Sequence, residues 1–442
     1  MGSFRKVLGF WDLFWLSVGG MVGVAILTFA SVTYGYAGPS SLISWILAGI
    51  FSIFMALVYS EMVTAFPDSG ALVVFPYEGF GKRRLARYLA FLEGAGYYIG
   101  TLFGIVISAI ILGSYVSPAL ATGTAGSLII AELSLLFVGI INMLGAKVTS
   151  KANLLMSIFF MVIFSAIIIL GIIHGSASRL IPFFSGTSKA VGIIYAIPIA
   201  ILAYGSWTAL ITIPEEAKDV KKIPKAMIYS LLVVTLLYAL IVLAVYMGLN
   251  STQLNKTFYY YPVFGLVTLL GSNLLLWAFQ IAAIFAIVAV MLVMVMSNSR
   301  ILVALSRLKF LPGKMGEISQ RSIPLYATLL SFLIPMTLSF FPTYYYQYVV
   351  IGAIIGTGLP RVIDLASYLK LRGSKSYKPS FKVKYGAAFA VAAFIGLVVS
   401  ELSLGISDIE WSIVAFAILT FFFIILERAY AVRKNSEVKL SM

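Results

Sequence analysis

The chain has no cysteine and one histidine, His174, in 442 residues. Without cysteine there is no disulfide, no thiol nucleophile and no thiolate metal site. One histidine leaves little for metal binding or acid–base work, and we expect neither a catalytic set, a metal nor a cofactor. Charge is scarce as well: 11% of residues are charged, against roughly 25% in an ordinary soluble domain. What fills the space is apolar, 61% of the chain, with a mean hydropathy of +1.03. No soluble fold has interior enough for that, so the composition specifies a membrane protein. The net charge of +15 would suit nucleic acid, but the basic residues sit in short loops between apolar runs, which is the mark of membrane orientation. We expect no nucleic-acid partner. The first apolar segment has no signal-peptide cleavage site and reads as retained.

A spanning helix needs about 20 apolar residues. Twelve segments qualify: 11–34, 40–65, 89–117, 125–145, 152–174, 190–213, 226–248, 273–306, 324–341, 345–369, 385–403 and 410–430, with 258–271 as a short interfacial helix. With the N-terminus inside, 28 of the 31 Lys and Arg residues fall in cytoplasmic segments, leaving Arg179, Lys189 and Lys256 outside. That asymmetry supports an even number of spans with both termini cytoplasmic. The expected fold is all-α and polytopic, one transmembrane domain over residues 1–442, placed in the cell membrane among its lipids.

Two spans are poor helices. The first contains "SVGGMVGVAIL", residues 17–27, where Gly19, Gly20 and Gly23 each cost about 1 kcal/mol of helix stability relative to alanine. The sixth contains "AIPIAILAYGSWTALITIP", residues 196–214, in which Pro198 removes a backbone donor and Gly205 and Ser206 interrupt the apolar run beside Tyr204, Trp207 and Thr208. An offset of five helices inverts a segment in the membrane. The pattern is that of a transporter built from two inverted five-helix repeats, helices 1–5 (about 10–174) and 6–10 (about 190–370), plus two C-terminal helices (about 385–430). Broken backbone at depth must line a cavity or be buried in protein. Its free amides attract a carboxylate and its free carbonyls an ammonium, so a zwitterion can be held without a charged side chain.

The stretch "SVGGMVGVAIL … YGYAGPSSLISWILAGIFSIFMALVYSEMVTAFPDSGALVVFPYEGFG" resembles the first two helices of the amino acid–polyamine–organocation permeases. "LAYGSWTALITIPEEAKDVKKIPKAMI" resembles their sixth helix and following loop, and "MSNSRILVALSRLKFLP" the end of their eighth, so the likeness runs from residue 10 to about 312. The resemblance implies a substrate carboxylate on the amides of Gly23, Val24, Ala25 and Ile26. It implies the amino group near the carbonyls before that break and at Ala203, Tyr204 and Gly205, with Ser206, Trp207 and Thr208 beside them. Three departures stand out. Gly23-Val24-Ala25 replaces the usual Gly-x-Gly, Ser206 and Thr208 occupy positions often held by glycine or an acid, and "LLMSIFFMVIF" (154–164) lacks the lysine that some members use in place of sodium.

Each feature has a plainer reading. The glycines of helix one can be a packing face. Gly96, Gly100, Gly104 and Ser108 form a stripe on helix three that favours packing, and Trp207 is either a gate or an ordinary bundle aromatic. Glu61 and Glu93 read as interfacial and structural; Glu132 lies deeper in helix four and is the candidate for proton coupling. His174 reads as solvated, and Glu215 and Glu216 head a cytoplasmic charge cluster with Arg300 of helix eight as candidate partner. An enzyme lacks the necessary residues, and a channel would show repeated polar rings. The function expected is a secondary or exchange carrier of amino acids working by alternating access, with a polyamine or organic-cation carrier of the same fold as the alternative. No acid or base is expected in the pocket, so the substrate should be neutral. Helix eight offers no hydroxyl or carboxylate from Leu274 to Met296, so transport should not need sodium.

Overall fold

The computed structural model describes residues 2–81, 83–120, 123–344, 348–349, 351–352, 354–375, 377–402 and 406–440. The described residues carry no strand, only an isolated bridge between Leu8 and Ala217. Helices occur within every segment expected to span. They are α1 (Phe10–Met21), α2 (Val24–Ala37), α3 (Ser41–Ala65), α4 (Ala71–Gly79), α5 (Arg84–Leu120), α6 (Gly123–Met143), α7 (Ala146–His174) and α8 (Gly192–Leu202). There follow α9 (Ala209–Thr212), α10 (Ile223–Gly248), α11 (Pro262–Leu269), α12 (Asn273–Arg307), α13 (Leu325–Ser339), α14 (Leu359–Arg372), α15 (Gly386–Leu402) and α16 (Ile406–Leu440). Six stretches among the described residues are long and apolar enough to cross a membrane, with Val24–Ala65 counted as one; the bent pair Lys189–Leu202 and Gly205–Thr212 makes a seventh. The chain is a multi-pass membrane protein.

Side-chain contacts divide Val24–Ala65 into two passages. Along α10, Ser230 bonds Ser17, Tyr238 bonds the Met21 carbonyl and Tyr246 bonds the Ala30 carbonyl, so α10 runs parallel to α1 and α2. Tyr246 also bonds Ser41, while Gly49 lies against Thr235, so α3 runs the opposite way. The reversal is at Gly38, whose φ of 67° suits glycine. A Cβ there would also meet Ser185 Oγ at 2.4 Å.

Of these helices α12 is the axis. Its central residues from Ala282 to Ser306 are nearly all buried, against α5, α7, α13 and α1. An apolar helix buried on all sides belongs at the centre of a bundle, and the others expose leucine, isoleucine and phenylalanine outward where lipid would lie. Gly100 of α5 packs backbone to backbone on Gly356, just before α14: a Cβ on Gly100 would stand 2.4 Å from the Gly356 Cα. Gly96 and Gly100 of the helix-three stripe therefore pack, as small residues do between membrane helices, while Gly100, Gly104 and Ser108 also line a cavity.

Candidate functional site

The first break follows from the glycines and from what they touch. A Cβ on Gly23 would stand 2.6 Å from Val290 Cγ2, one on Gly20 3.0 Å from Val293 Cγ1, and one on Gly19 2.5 Å from the Asn153 and Ser157 oxygens. The glycines therefore do both things asked of them: they let α1 lie tight on α12 and α7, and they end it. Val22 is extended (φ −78°, ψ 106°), and α2 begins at Val24 with no side chain capping it. Helix geometry leaves the amides of the first turn, Val24, Ala25 and Ile26, without helical acceptors.

The second break lies between α8 and α9. After Leu202 the chain turns through Ala203 and Tyr204 into a 3₁₀ turn, Gly205–Thr208, and the two halves are bent by 44°. Contacts fix how the breaks are related. Gly192 lies against Tyr36, Gly20 against Ser206, and the amides of Val7 and Leu8 bond the Glu216 carbonyl. Residue numbers fall in one strand of this series as they rise in the other, so the two broken helices are antiparallel and their breaks stand side by side.

A cavity of about 230 Å³ opens at that point. Of the ten residues singled out from the sequence, Gly23, Val24, Ala25, Ala203, Gly205, Ser206 and Thr208 line it. Three do not. Ile26 is in the core, though its amide belongs to the first turn of α2. Tyr204 is buried with its hydroxyl on the Trp45 carbonyl, and Trp207, 1% exposed, stands edge-on to Tyr59 at 5.4 Å. Trp207 thus packs within the bundle on Tyr59, which itself lines the cavity.

Several residues matter that the sequence reading passed over. Tyr238 of α10 donates to the Met21 carbonyl (2.7 Å) and lies 3.1 Å from the Ala203 carbonyl, so one phenol ties the two breaks together. A buried tyrosine hydroxyl in an apolar helix needs a partner, and that was its only sequence signal. Tyr97 of α5 bridges Thr208 (3.2 Å) and Ser297 of α12 (2.9 Å), and Ser297 also accepts from Thr212 (3.1 Å). The expectation of a pocket free of acids and bases is overturned. Glu93, Asp364 and Arg361 all line the cavity, and Glu93 is fully buried rather than interfacial. The clue was an acid set inside a spanning helix, as in "AFLEGAGYYIG" and "RVIDLASY". Glu61 does serve structure, pairing with Arg372 at 3.2 Å and accepting from Tyr368. Glu132 bonds Ser339, away from the cavity, and His174 is exposed, its ring on the Leu170 carbonyl.

On the side of the chain's N-terminus the bundle is shut by charge. Arg300 holds Glu216 through two nitrogens (2.7 and 3.1 Å) and gives a third to Ser299 and the Met296 carbonyl, all buried. Phe4 lies over Arg300 and Arg307, and Arg307 bonds Glu215. Burial works to raise the Glu215 carboxyl, but the bonds from Arg307 and from the Ser69 amide outweigh it and hold it below the usual range. Burial, with Glu215 close by, holds Asp68 above its own.

A family model described as amino acid permease matches residues 8–435. Among curated proteins, the "Cationic amino acid transporter 8, vacuolar" of Arabidopsis thaliana is 25% identical over 76% of this chain and 58% of its own length. The branched-chain amino acid permease BcaP of Bacillus subtilis is 25% identical over 72% of this chain and 70% of its own. BcaP of Lactococcus lactis is 25% identical over 89% and 88%. The chain thus spans little more than half the plant protein and most of the bacterial ones.

Proposed function

The chain belongs to the amino acid permease family, and from that premise we propose that it is a secondary or exchange carrier moving amino acids across a membrane by alternating access. The observation that carries this reading is the pair of antiparallel broken helices whose breaks share one cavity. The uncapped first turn of α2 offers amides to a carboxylate. Carbonyls at the end of α1 and at Ala203 offer acceptors to an ammonium, which needs only the second lone pair left by Tyr238. Twelve crossings, in two inverted repeats of five (about 10–174 and 190–370) with two helices added, account for the antiparallel breaks and for the basic residues gathered on one side. Cytoplasmic termini follow from the same charge asymmetry, and we place the carrier in the cell membrane.

The side chain of the substrate is neutral on this reading. Val24, Ala25, Phe29, Val290, Val293 and Met294 give the cavity an apolar wall that suits an aliphatic or small side chain. The second reading is a cationic substrate, favoured by Glu93 and Asp364 at the cavity's edge. Sodium has little to bind: the first hydroxyl of α12 past the apolar stretch, Ser297, is already engaged by Tyr97 and Thr212. The test is uptake by purified protein in liposomes with a panel of neutral and basic amino acids and polyamines, in sodium and in choline. Saturable uptake of alanine or leucine at equal initial rates in both salts is expected. Preference for arginine or polyamines, or a large loss of rate in choline, would refute the respective claim.

A further inference from the structure

The start of α1 lies between α7 and α10, and its first three side chains take three directions. Phe10 stands edge-on to Tyr229 of α10 at 6.4 Å. Asp12 accepts from Lys147 and Ser150 of α7 at 2.7 and 2.8 Å. Trp11, between them, turns away from the bundle and is 64% exposed. Each flanking helix turns a stripe outward. On α10 the exposed residues are Lys222 at its start, then Lys225, Tyr229, Leu232 and Leu236. On α7 they are Lys151, one turn after Lys147, then Leu155, Ile158 and Val162. Steps of three and four keep each set on one helix face. Both stripes pass from lysine to aliphatic side chains as they run into the bundle.

The positive charge at the head of these stripes is unanswered. Lys147 is taken by Asp12, but Lys151, Lys222 and Lys225 make no ion pair among the described residues. Asp219, the acid nearest Lys222 in sequence, is turned to the Lys221 amide. Membrane orientation asks for positive charge on this side. It does not ask for lysines in line with aliphatic stripes on two helices, with a tryptophan between them. A free phosphate would answer the lysines and leave the stripes bare. A neutral lipid would cover the stripes and leave the lysines unanswered. We propose that this face binds an anionic phospholipid, its phosphate among the lysines that flank Trp11 and its acyl chains on the two aliphatic stripes. Indole is favoured at the level of the headgroup, and lysine near the membrane surface attracts anionic lipid. A lipid seated there packs on the start of the helix that ends at the first break, and it braces that helix from the membrane side. Its binding does not depend on what the cavity carries.

The test uses the full-length protein in detergent, its thermal midpoint read against increasing dioleoyl-phosphatidylglycerol in mixed micelles. The midpoint should rise and saturate, because a ligand of the folded form stabilises it, and high salt should weaken the effect. Dioleoyl-phosphatidylcholine and glycerol phosphate, which lack the charge and the acyl chains respectively, should not reproduce it. The variant Lys151→Gln/Lys225→Gln should need more than about tenfold more lipid for half the rise. Lys382→Gln/Lys384→Gln, on the exposed basic loop before α15, should need the wild-type amount. An equal response to phosphatidylcholine overturns the proposal, as does the full rise with glycerol phosphate, which marks a phosphate site without lipid. It is also overturned if Lys151→Gln/Lys225→Gln responds as wild type, or if both double variants lose the response alike. Should a variant elute aggregated, lipids brominated on their acyl chains decide. Phosphatidylglycerol should quench tryptophan fluorescence more than phosphatidylcholine does, and Trp11→Phe should remove that surplus. No surplus in the wild type, or one that survives Trp11→Phe, overturns the proposal.

Discussion

The two breaks do one job with different chemistry. The first is made by glycines pressed against neighbours, with Gly23 on Val290 and Gly20 on Val293, and it presents a helix N-terminus. The second has a proline four residues before the end of α8 and a 3₁₀ turn carrying hydroxyls, and its Gly205 has no atom within 4 Å of where a Cβ would stand. One glycine is required by packing and the other by the space beside it. The first break is thus a rigid amide site wedged between α12 and α7, while the second is a looser wall that faces the cavity.

That contrast can be broken in order of effect. Gly23→Leu forces a side chain into Val290, and overpacking of this kind costs about 1–3 kcal/mol. We expect a lower thermal midpoint and uptake reduced more than about a hundredfold, since the amides must also move; near-normal uptake would show that the first break is not wedged. Tyr238→Phe removes the one donor shared by the breaks and leaves the Met21 and Ala203 carbonyls a partner short, worth about 1–3 kcal/mol for a buried polar group. Uptake should fall about tenfold with the same substrate preference, read as initial rates across the panel. Gly205→Ala should leave the thermal midpoint almost unchanged, within about 0.5 kcal/mol, and raise KM for leucine more than for alanine because the methyl enters the cavity. If Gly205→Ala destabilises as much as Gly23→Leu, the two breaks are alike after all.

Both breaks were legible in the sequence because glycine and proline weaken a helix wherever it packs. Seven of the ten expected residues reach the cavity for the same reason: backbone at a break goes where the break goes. Side-chain direction was less legible. Tyr204 and Trp207 flank Gly205 and Ser206, but the 3₁₀ turn sends them to Trp45 and Tyr59. Glu93 was read as interfacial from its distance to the start of the helix, and only the packing of α14 on α5 places Asp364 against it. The partner of an acid that lies 271 positions away, as Asp364 does from Glu93, carries no local signal. The charge cluster of Glu215 and Glu216 with Arg300 is legible because all three lie at helix ends on the same charged side, but the sequence does not say that Arg300 takes Glu216 while Arg307 takes Glu215.

The central claim is that the two breaks hold the two ends of a zwitterion. It is tested most directly by competition for labelled leucine uptake in liposomes, comparing leucine with leucinamide, which lacks the carboxylate, and with 4-methylpentanoic acid, which lacks the amine. The account predicts that leucine competes and that each analogue is weaker by more than about a hundredfold, each having lost a charge-assisted set of bonds. An analogue that competes as well as leucine would contradict it, for the break assigned to the missing group would then hold nothing.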